Sequence, residues 1–312
     1  MIDESKFIIQ TQALCRHFGT TQAVESLDLS ILEGEIFGLV GPDGAGKTTT
    51  IRLLAGLLNI SSGSATVAGF DLRRKAETIK PRIGYMAQQF SLYGDLSVDE
   101  NLAFFADIYS VYGEVRRQRT ERLLQFAKLT EFRQRRAVHL SGGMQKKLAL
   151  ACTLIHQPEV LLLDEPTTGV DPVSRREFWD ILAELHHGGT TILISTPYMD
   201  EAERCQRVGL LYEGRLMMVD QPRRIRELTA GELIEFHVDD WQMTRTLLVG
   251  LEGVLEVQTY GDVMRIFLDS AEKRLPALEN LLRANNIAYR GLRRRLAGME
   301  EAFVSLIRRV EA

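Results

Sequence analysis

Short runs that are apolar at almost every position alternate along this chain with stretches of helical period. Residues 34–40 and 160–163 read as strands buried on both faces, and 190–195 is a further β-rich run. Helical spacing follows at 49–54 and again at 146–155. Ser97-Val98-Asp99-Glu100 forms a capping box, after which Leu102, Phe105, Tyr109 and Tyr112 recur at helical spacing. A second helical pattern spans 121–132, and the aromatic residues are expected inside this helical insert instead of on its surface. Buried strands alternating with helices predict an α/β fold, whose ligands sit at the carboxyl ends of the strands.

Beyond Asp220-Gln221-Pro222 the pattern changes. A short helix is predicted at 223–230, a strand at 233–238 and a helix near 241–251. The segments 254–260 and 263–268 read as a hairpin, followed by a helix at 271–285 and a strand near 287–292. The final helix carries one apolar stripe: Met299, Ala302, Phe303, Leu306, Ile307 and Val310. This predicts a large α/β domain at 1–230 and a small α+β domain at 231–312.

Composition removes several classes. A length of 312 residues fits one large plus one small domain, and 45% apolar residues suit an ordinary core. The net charge of −4 gives no reason to expect a nucleic-acid partner. In the last domain acidic residues outnumber basic ones, so Arg293-Arg294-Arg295 and Arg308-Arg309 are expected on solvated faces, with acidic lipid or a partner surface as the alternative. Cys15, Cys152 and Cys205 have no CxxC spacing and read as reduced thiols. No apolar run approaches the ~20 residues of a membrane span. The opening MIDESKFIIQ lacks the basic and apolar regions of a signal peptide, so any membrane role is expected to come through a partner.

Three motifs carry chemistry. Gly41-Pro42-Asp43-Gly44-Ala45-Gly46-Lys47-Thr48 is GxxxxGK[ST] between a strand and a helix, the context that motif requires. Its glycines let successive N–H groups converge on phosphates at a helix N-terminus. Lys47 is then expected on the β- and γ-phosphates and the Thr48 hydroxyl on Mg²⁺, with Thr49 next in the same turn. Second, the apolar run 160–163 ends in Asp164-Glu165-Pro166. Asp164 can hold the Mg²⁺, and Glu165 is placed to orient and deprotonate a water. Third, Leu140-Ser141-Gly142-Gly143-Met144-Gln145 precedes a helix, with Ser141 as its N-cap. It makes a second anion-binding element, which points to service for a neighbouring subunit.

With these motifs the chain resembles the nucleotide-binding subunit of an ATP-binding-cassette (ABC) transporter, over about residues 6–230. The resemblance implies a P-loop NTPase cassette with a RecA-like core sheet, an antiparallel β subdomain and a helical subdomain at about 90–150. It implies two cassettes closed head to tail over two ATP molecules, so that Ser141, Gly142 and Gly143 contact the γ-phosphate in trans. By the same resemblance Phe18, in Arg16-His17-Phe18-Gly19, stacks on adenine; a core aromatic at a strand end is the alternative. Gln88 is implied to touch Mg²⁺ and the water and to relay to the membrane partner, with adjacent Gln89 the alternative. Asp171, in Gly169-Val170-Asp171-Pro172, is implied to couple the two sites. The helical subdomain would dock a coupling helix of an integral membrane permease. The small last domain resembles that of exporter-type cassettes, and the whole is similar to the first cassette of tandem-cassette bacterial multidrug-efflux ATPases. The implied location is cytoplasmic, on the inner face of the membrane through the permease.

One position departs from the family. Ser195-Thr196-Pro197-Tyr198 has Pro197 where members usually carry a histidine that bonds the γ-phosphate. Proline has no side-chain donor and no N–H. Structurally it is expected at the first position of a helix capped by Thr196. His186 and His187 precede the strand, about 20 Å from its far end, and do not substitute. Two readings stand: a degenerate site that pairs with a non-identical cassette, or a neutral replacement because Glu165 and Gln88 suffice. A regulatory cassette, a non-transport cassette ATPase and a nucleotide kinase are the rival functions; a kinase has no use for residues 140–145.

Overall fold

The computed structural model describes residues 7–89 and 92–311, and their side chains as far as Ile307. The chain divides into two compact units, Met1–Asp220 and Gln221–Ala312. The division precedes residue 230 because helix Pro222–Glu227 buries Ile225 within the second unit.

The first unit opens on a long antiparallel hairpin of β1 (Phe7–Phe18) and β2 (Thr21–Leu32), whose register slips at several bulges. β3 (Ile36–Val40), buried at every position, leads through the Gly-rich loop into α1 (Lys47–Leu54). β4 (Ser62–Val67) and β5 (Phe70–Asp71) complete a four-stranded sheet in the order β2-β1-β4-β5. α2 (Leu72–Ile79) and β6 (Ile83–Met86) come next. Then follow the insert helices α3 (Val98–Ile108), α4 (Gly113–Phe126) and α5 (Gly142–Leu154). β7 (Val160–Asp164), α6 (Pro172–His187), β8 (Thr191–Thr196) and α7 (Met199–Ala202) precede the closing hairpin β9 (Arg207–Tyr212) and β10 (Arg215–Asp220).

The second sheet has the order β10-β9-β3-β8-β7-β6. Five of its strands are parallel, and β10 runs antiparallel on the edge. β3, β7 and β8 are buried at every residue; β3 and the first four residues of β7 are the apolar runs expected of strands covered on both faces, whereas β8 also buries Thr191, Ser195 and Thr196. One core joins both sheets to α1: Ile9, Leu27 and Ile31 pack in a cluster with Phe37, Leu39, Ile51 and Leu162. This is the α/β architecture that the sequence pattern predicts, with the antiparallel sheet and core sheet that the resemblance implies.

The insert differs in detail from its predicted form. The capping box is present: Ser97 Oγ accepts from the Glu100 N–H, and Glu100 Oε2 accepts from the Ser97 N–H. α4 starts at Gly113 and ends at Phe126, earlier than 121–132, because its first turns are polar and only Leu123 and Leu124 are buried. A left-handed Lys128 (φ 56°) then interrupts the helical course before a short 3₁₀ turn at Thr130–Phe132. The aromatic residues are not uniformly internal. Leu102 is buried and Phe105 and Tyr109 are half-buried, whereas Tyr112 is 60% exposed.

The second unit contains α8 (Pro222–Glu227), β11 (Glu232–Val238), α9 (Trp241–Val249), β12 (Val254–Tyr260) and β13 (Val263–Leu268). α10 (Ala271–Ala284), β14 (Tyr289–Arg295) and α11 (Met299–Glu311) complete it. The antiparallel sheet runs β12-β13-β11-β14 over a core that includes Phe236, Ile266 and Leu278. Met299, Ala302 and Phe303 are buried as the stripe predicts; Val310, Arg308 and Arg309 lie outside the described side chains.

Arg293, Arg294 and Arg295 are exposed on β14, as expected, but they do more than face solvent. Arg293 and Arg295 bond the carboxylate of Glu235 at 2.8 and 2.6 Å, Arg265 adds a third bond at 3.0 Å, and Arg294 pairs with Glu232. Glu235 is buried on β11, between β13 and β14, so the cationic side chains are needed to neutralise it. Burial alone would raise this carboxyl, but bonds from Arg293, Arg295 and Arg265 prevail and bring it from 4.5 down to about 2. A carboxyl lowered on folding adds stability above its unfolded value that is lost as pH falls towards the folded one. Amide exchange in β11 and β14 is therefore expected to accelerate as pH drops from 4.5 towards about 2, after correction for intrinsic exchange. In Glu235→Gln that acid-dependent acceleration should be much weaker.

Candidate active site

The carboxyl ends of β3, β6 and β7 meet at one cleft of about 340 Å³, lined by Asp43, Gly44, Gly46, Lys47, Thr48 and Thr49 together with Gln88 and Glu165. The loop that forms its floor is tightly held. A Cβ on Gly41 would stand 2.1 Å from the Leu211 carbonyl oxygen, and one on Gly46 (φ 101°) would stand 2.4 Å from that of Ala23. Asp43 and Pro42 are exposed, Ala45 is buried, and Gly44 opens to free space. Lys47 is buried at the start of α1, where its ammonium donates to the carbonyls of Gly41 and Pro42, both at 2.9 Å.

The two carboxylates at the end of β7 are reached from different elements. Asp164 Oδ1 accepts from Thr48 Oγ1 at 3.0 Å and from Ser195 Oγ at 2.8 Å, while its Oδ2 is buried with no hydrogen-bond partner. Burial raises this carboxyl above its ordinary value, against the bonds from Ser195 and Thr48 that lower it. Glu165 Oε1 lies 3.2 Å from Lys47 Nζ. Its Oε2 accepts from Gln88 Nε2 at 2.9 Å and from Thr168 Oγ1 at 3.3 Å. Gln88 is thus the glutamine that meets Glu165.

This donor set fits the groups the motifs imply. A cation and a helix N-terminus face the open side of the loop, which suits phosphate oxygens. A hydroxyl beside a carboxylate with one unbonded, buried oxygen suits a hard divalent ion. No group of three His, Cys, Asp or Glu side chains is arranged for a metal among the described residues, so Mg²⁺ held here would keep several waters.

The remaining predicted residues lie elsewhere. Ser141 caps α5, its Oγ accepting from the Met144 N–H, and Asp171 caps α6 through the N–H groups of Val173 and Ser174. These caps adjoin: a Cβ on Gly143 would lie 2.4 Å from Ser174 Oγ and 3.7 Å from Asp171 Oδ2. Gly142 lines a second cleft of about 240 Å³, with Lys146, Thr168 and Gly169. Phe18, at the end of β1, is 45% exposed and carries the Arg16 guanidinium 4.5 Å from its ring centre.

Pro197 does not begin a helix, which corrects the expectation. α7 starts at Met199 with Tyr198 as its cap residue, and Thr196 Oγ1 accepts from the Tyr198 N–H at 3.0 Å. Proline instead occupies the bend between β8 and α7. The sequence reading also missed Ser195, which bonds Asp164 and the Glu165 N–H, and Lys146, whose Nζ donates to the Gln88 carbonyl at 2.7 Å. Their only sequence signal was proximity to a motif.

Comparison with known proteins gives the family. A family profile described as "ABC transporter" matches residues 24–168. The Nod factor export ATP-binding protein I of Cupriavidus pinatubonensis is 34% identical over 301 residues, 96% of this chain and 90% of that protein. The chain belongs to the ABC transporter ATP-binding family. The probable multidrug ABC transporter ATP-binding protein YbhF of Escherichia coli is 54% identical over 209 residues, which cover 67% of this chain. That alignment spans 36% of YbhF, so the chain corresponds to about a third of this relative's length. Among solved structures, the dimeric, post-hydrolysis ATP-binding cassette MJ0796 with ADP and Pi is similar at a TM-score of 0.62 and 25% identity, covering 68% of this chain and 98% of that one. No described helix of the present chain is long and apolar enough to cross a membrane.

The loop geometry makes one outcome testable. Gly46→Ala must place a side chain at φ 101° against the Ala23 carbonyl. It is expected to lower the thermal midpoint by roughly 2–10 °C and to abolish binding of a fluorescent ATP analogue. Unaltered melting and binding would show that the loop tolerates a Cβ there.

Proposed function

We propose that the chain is the ATP-binding and ATP-hydrolysing subunit of an ABC exporter for small molecules, of the multidrug type. The observation that carries this reading is the meeting of Lys47, Gln88 and Glu165 within hydrogen-bond reach in the cleft of the Gly-rich loop. Backbone N–H groups of 43–49 and the Lys47 ammonium would hold the β- and γ-phosphates, with adenine on Phe18. Thr48 and Asp164, with Gln88 beside them, would hold Mg²⁺, which when bound neutralises phosphate charge. Glu165, oriented by Gln88 and Thr168, would take a proton from the attacking water. The water oxygen bonds to the γ-phosphorus, the bond to the β–γ bridging oxygen breaks, and ADP and phosphate leave.

Ser141, Gly142 and Gly143 would serve the ATP of a second cassette in a head-to-tail dimer, with Asp171 between the sites. Gly142 lines a cleft other than the one around Lys47, which supports this, as does the dimeric form of the similar MJ0796 cassette. The unit Met1–Asp220 would be the cassette and Gln221–Ala312 an exporter-type accessory domain. The export and multidrug names of the relatives support the transport class and an integral membrane permease as partner, which would hold the chain at the cytoplasmic face.

Pro197 makes the site degenerate on this reading. One lost charge-stabilising contact costs on the order of 10²–10³ in rate. A non-identical second cassette, in a separate chain or in tandem, would then form a competent site with this chain's Ser141–Gly143. Steady-state ATP hydrolysis tests the assignment, with the parent beside Pro197→His and Glu165→Gln. The expected order is Pro197→His well above the parent, and the parent slightly above Glu165→Gln. A briskly hydrolysing parent unchanged by histidine would make Pro197 neutral and the chain an ordinary homodimeric motor. ATP binding with no turnover in any variant would favour a regulatory cassette, and co-purification without a membrane protein a non-transport one.

A further inference from the structure

We infer that Glu201 is a positioning residue for Glu165, an inference that rests on the hydrolytic reading above. Glu201 is 1% exposed, in the short helix after Pro197, and its two oxygens are used separately. Oε1 accepts from Thr167 Oγ1 and Oε2 from Thr196 Oγ1, each at 2.7 Å. Thr167 is in the loop after β7 and Thr196 is the last residue of β8, so one buried carboxylate ties together the carboxyl ends of two neighbouring strands. Arg175 of α6 supplies the opposite charge, with Nε 3.4 Å from Oε1. The same guanidinium bonds Asp200 at 2.5 Å and lies 4.5 Å from the centre of the Tyr198 ring.

What this tie restrains is strained. Glu165 has φ 44°, in the left-handed region, where a residue with a Cβ persists only if its surroundings fix it. Its N–H donates to Ser195 O and Oγ at 3.2 and 3.0 Å, and its carbonyl accepts from the Thr168 N–H at 3.2 Å. Thr168 also donates through Oγ1 to Glu165 Oε2. These contacts hold only while the loop carrying Thr167 and Thr168 keeps its register against β8. The Glu201 bridge sets that register. A buried carboxylate contributes little net stability in exchange for its desolvation, but it can fix two hydroxyls, and through them two segments, in a single arrangement. Glu201 touches no reacting atom on this reading; it acts through Thr167 and Thr168.

The test uses the full chain in the Pro197→His background, where turnover is expected to be highest, with rates normalised to the fraction of chains that bind a fluorescent ATP analogue. Glu201→Ala and Thr167→Val are expected to lower kcat by about ten- to a hundredfold with KM for ATP unchanged, as a misplaced catalytic group does. Thr167→Ser, which keeps the hydroxyl, should restore turnover. Glu201→Gln should retain most of it, since an amide can accept from one threonine and donate to the other. The double variant Glu201→Ala/Thr167→Val should be no worse than either single one. Should Glu201→Ala fail to fold, the nearly isosteric Thr167→Val and its serine rescue decide alone. Parental kcat in the binding-competent fraction of either variant, or losses that simply add, would overturn the inference. Full activity of Glu165→Gln in the same background would instead overturn the hydrolytic reading itself.

Discussion

The arrangement depends on a single constraint at the end of β7, where two consecutive carboxylates have to leave the interior of a sheet. Asp164 is fully buried and Glu165 is 6% exposed, so neither can be left to water. Along an extended strand successive side chains point to opposite faces. The left-handed turn at Glu165 breaks that alternation, and both carboxylates find partners around one cleft. Those partners come from separate elements: Thr48 and Lys47 from α1, Gln88 from beyond β6, and Ser195 from β8. They converge because β7 lies between β6 and β8, with β3 next to β8. Strand order is therefore the condition for the site, and two of the buried strands that set the order, β3 and β7, are also apolar runs in the sequence.

That coincidence explains what was legible in the sequence. Strands covered on both faces are mostly apolar, so β3 and β7 stood out as apolar runs and β8 as a β-rich one, and the motifs at the carboxyl ends of β3 and β7 could be assigned to one edge. The small second unit was equally readable because its strands and helices keep clean periods; β12 and β13 fall where the alternation put them. Side-chain pairing across strands was not legible. Three arginines in a row read as a solvated run, yet β14 lies beside β11 and brings two of them onto the buried Glu235. Nor does helical period reveal where α4 begins, since its first two turns bury almost nothing. The hydroxyls of Ser195, Thr167 and Thr196 were silent for the same reason: a small polar residue in a strand or loop carries no periodic signal, and its role appears only with its partner.

The bonds that hold the turn at Pro197 leave residue 197 itself unused. The bend after β8 is held by Thr196, whose hydroxyl accepts from the Tyr198 N–H and donates to Glu201. Arg175 fastens the far side through Asp200 and the Tyr198 ring. None of these bonds uses the side chain of residue 197, and none needs its N–H. A proline therefore fits the bend without disturbing the register of β7 against β8, and the carboxylate of Glu165 keeps its neighbours. On the proposed reading, the loss is then confined to whatever a histidine side chain at position 197 would contribute to a bound phosphate. A cassette built this way can lose part of its chemistry while the surfaces around Ser141 and Asp171 stay intact. On the proposed reading, that is the property required of the passive half of an asymmetric pair.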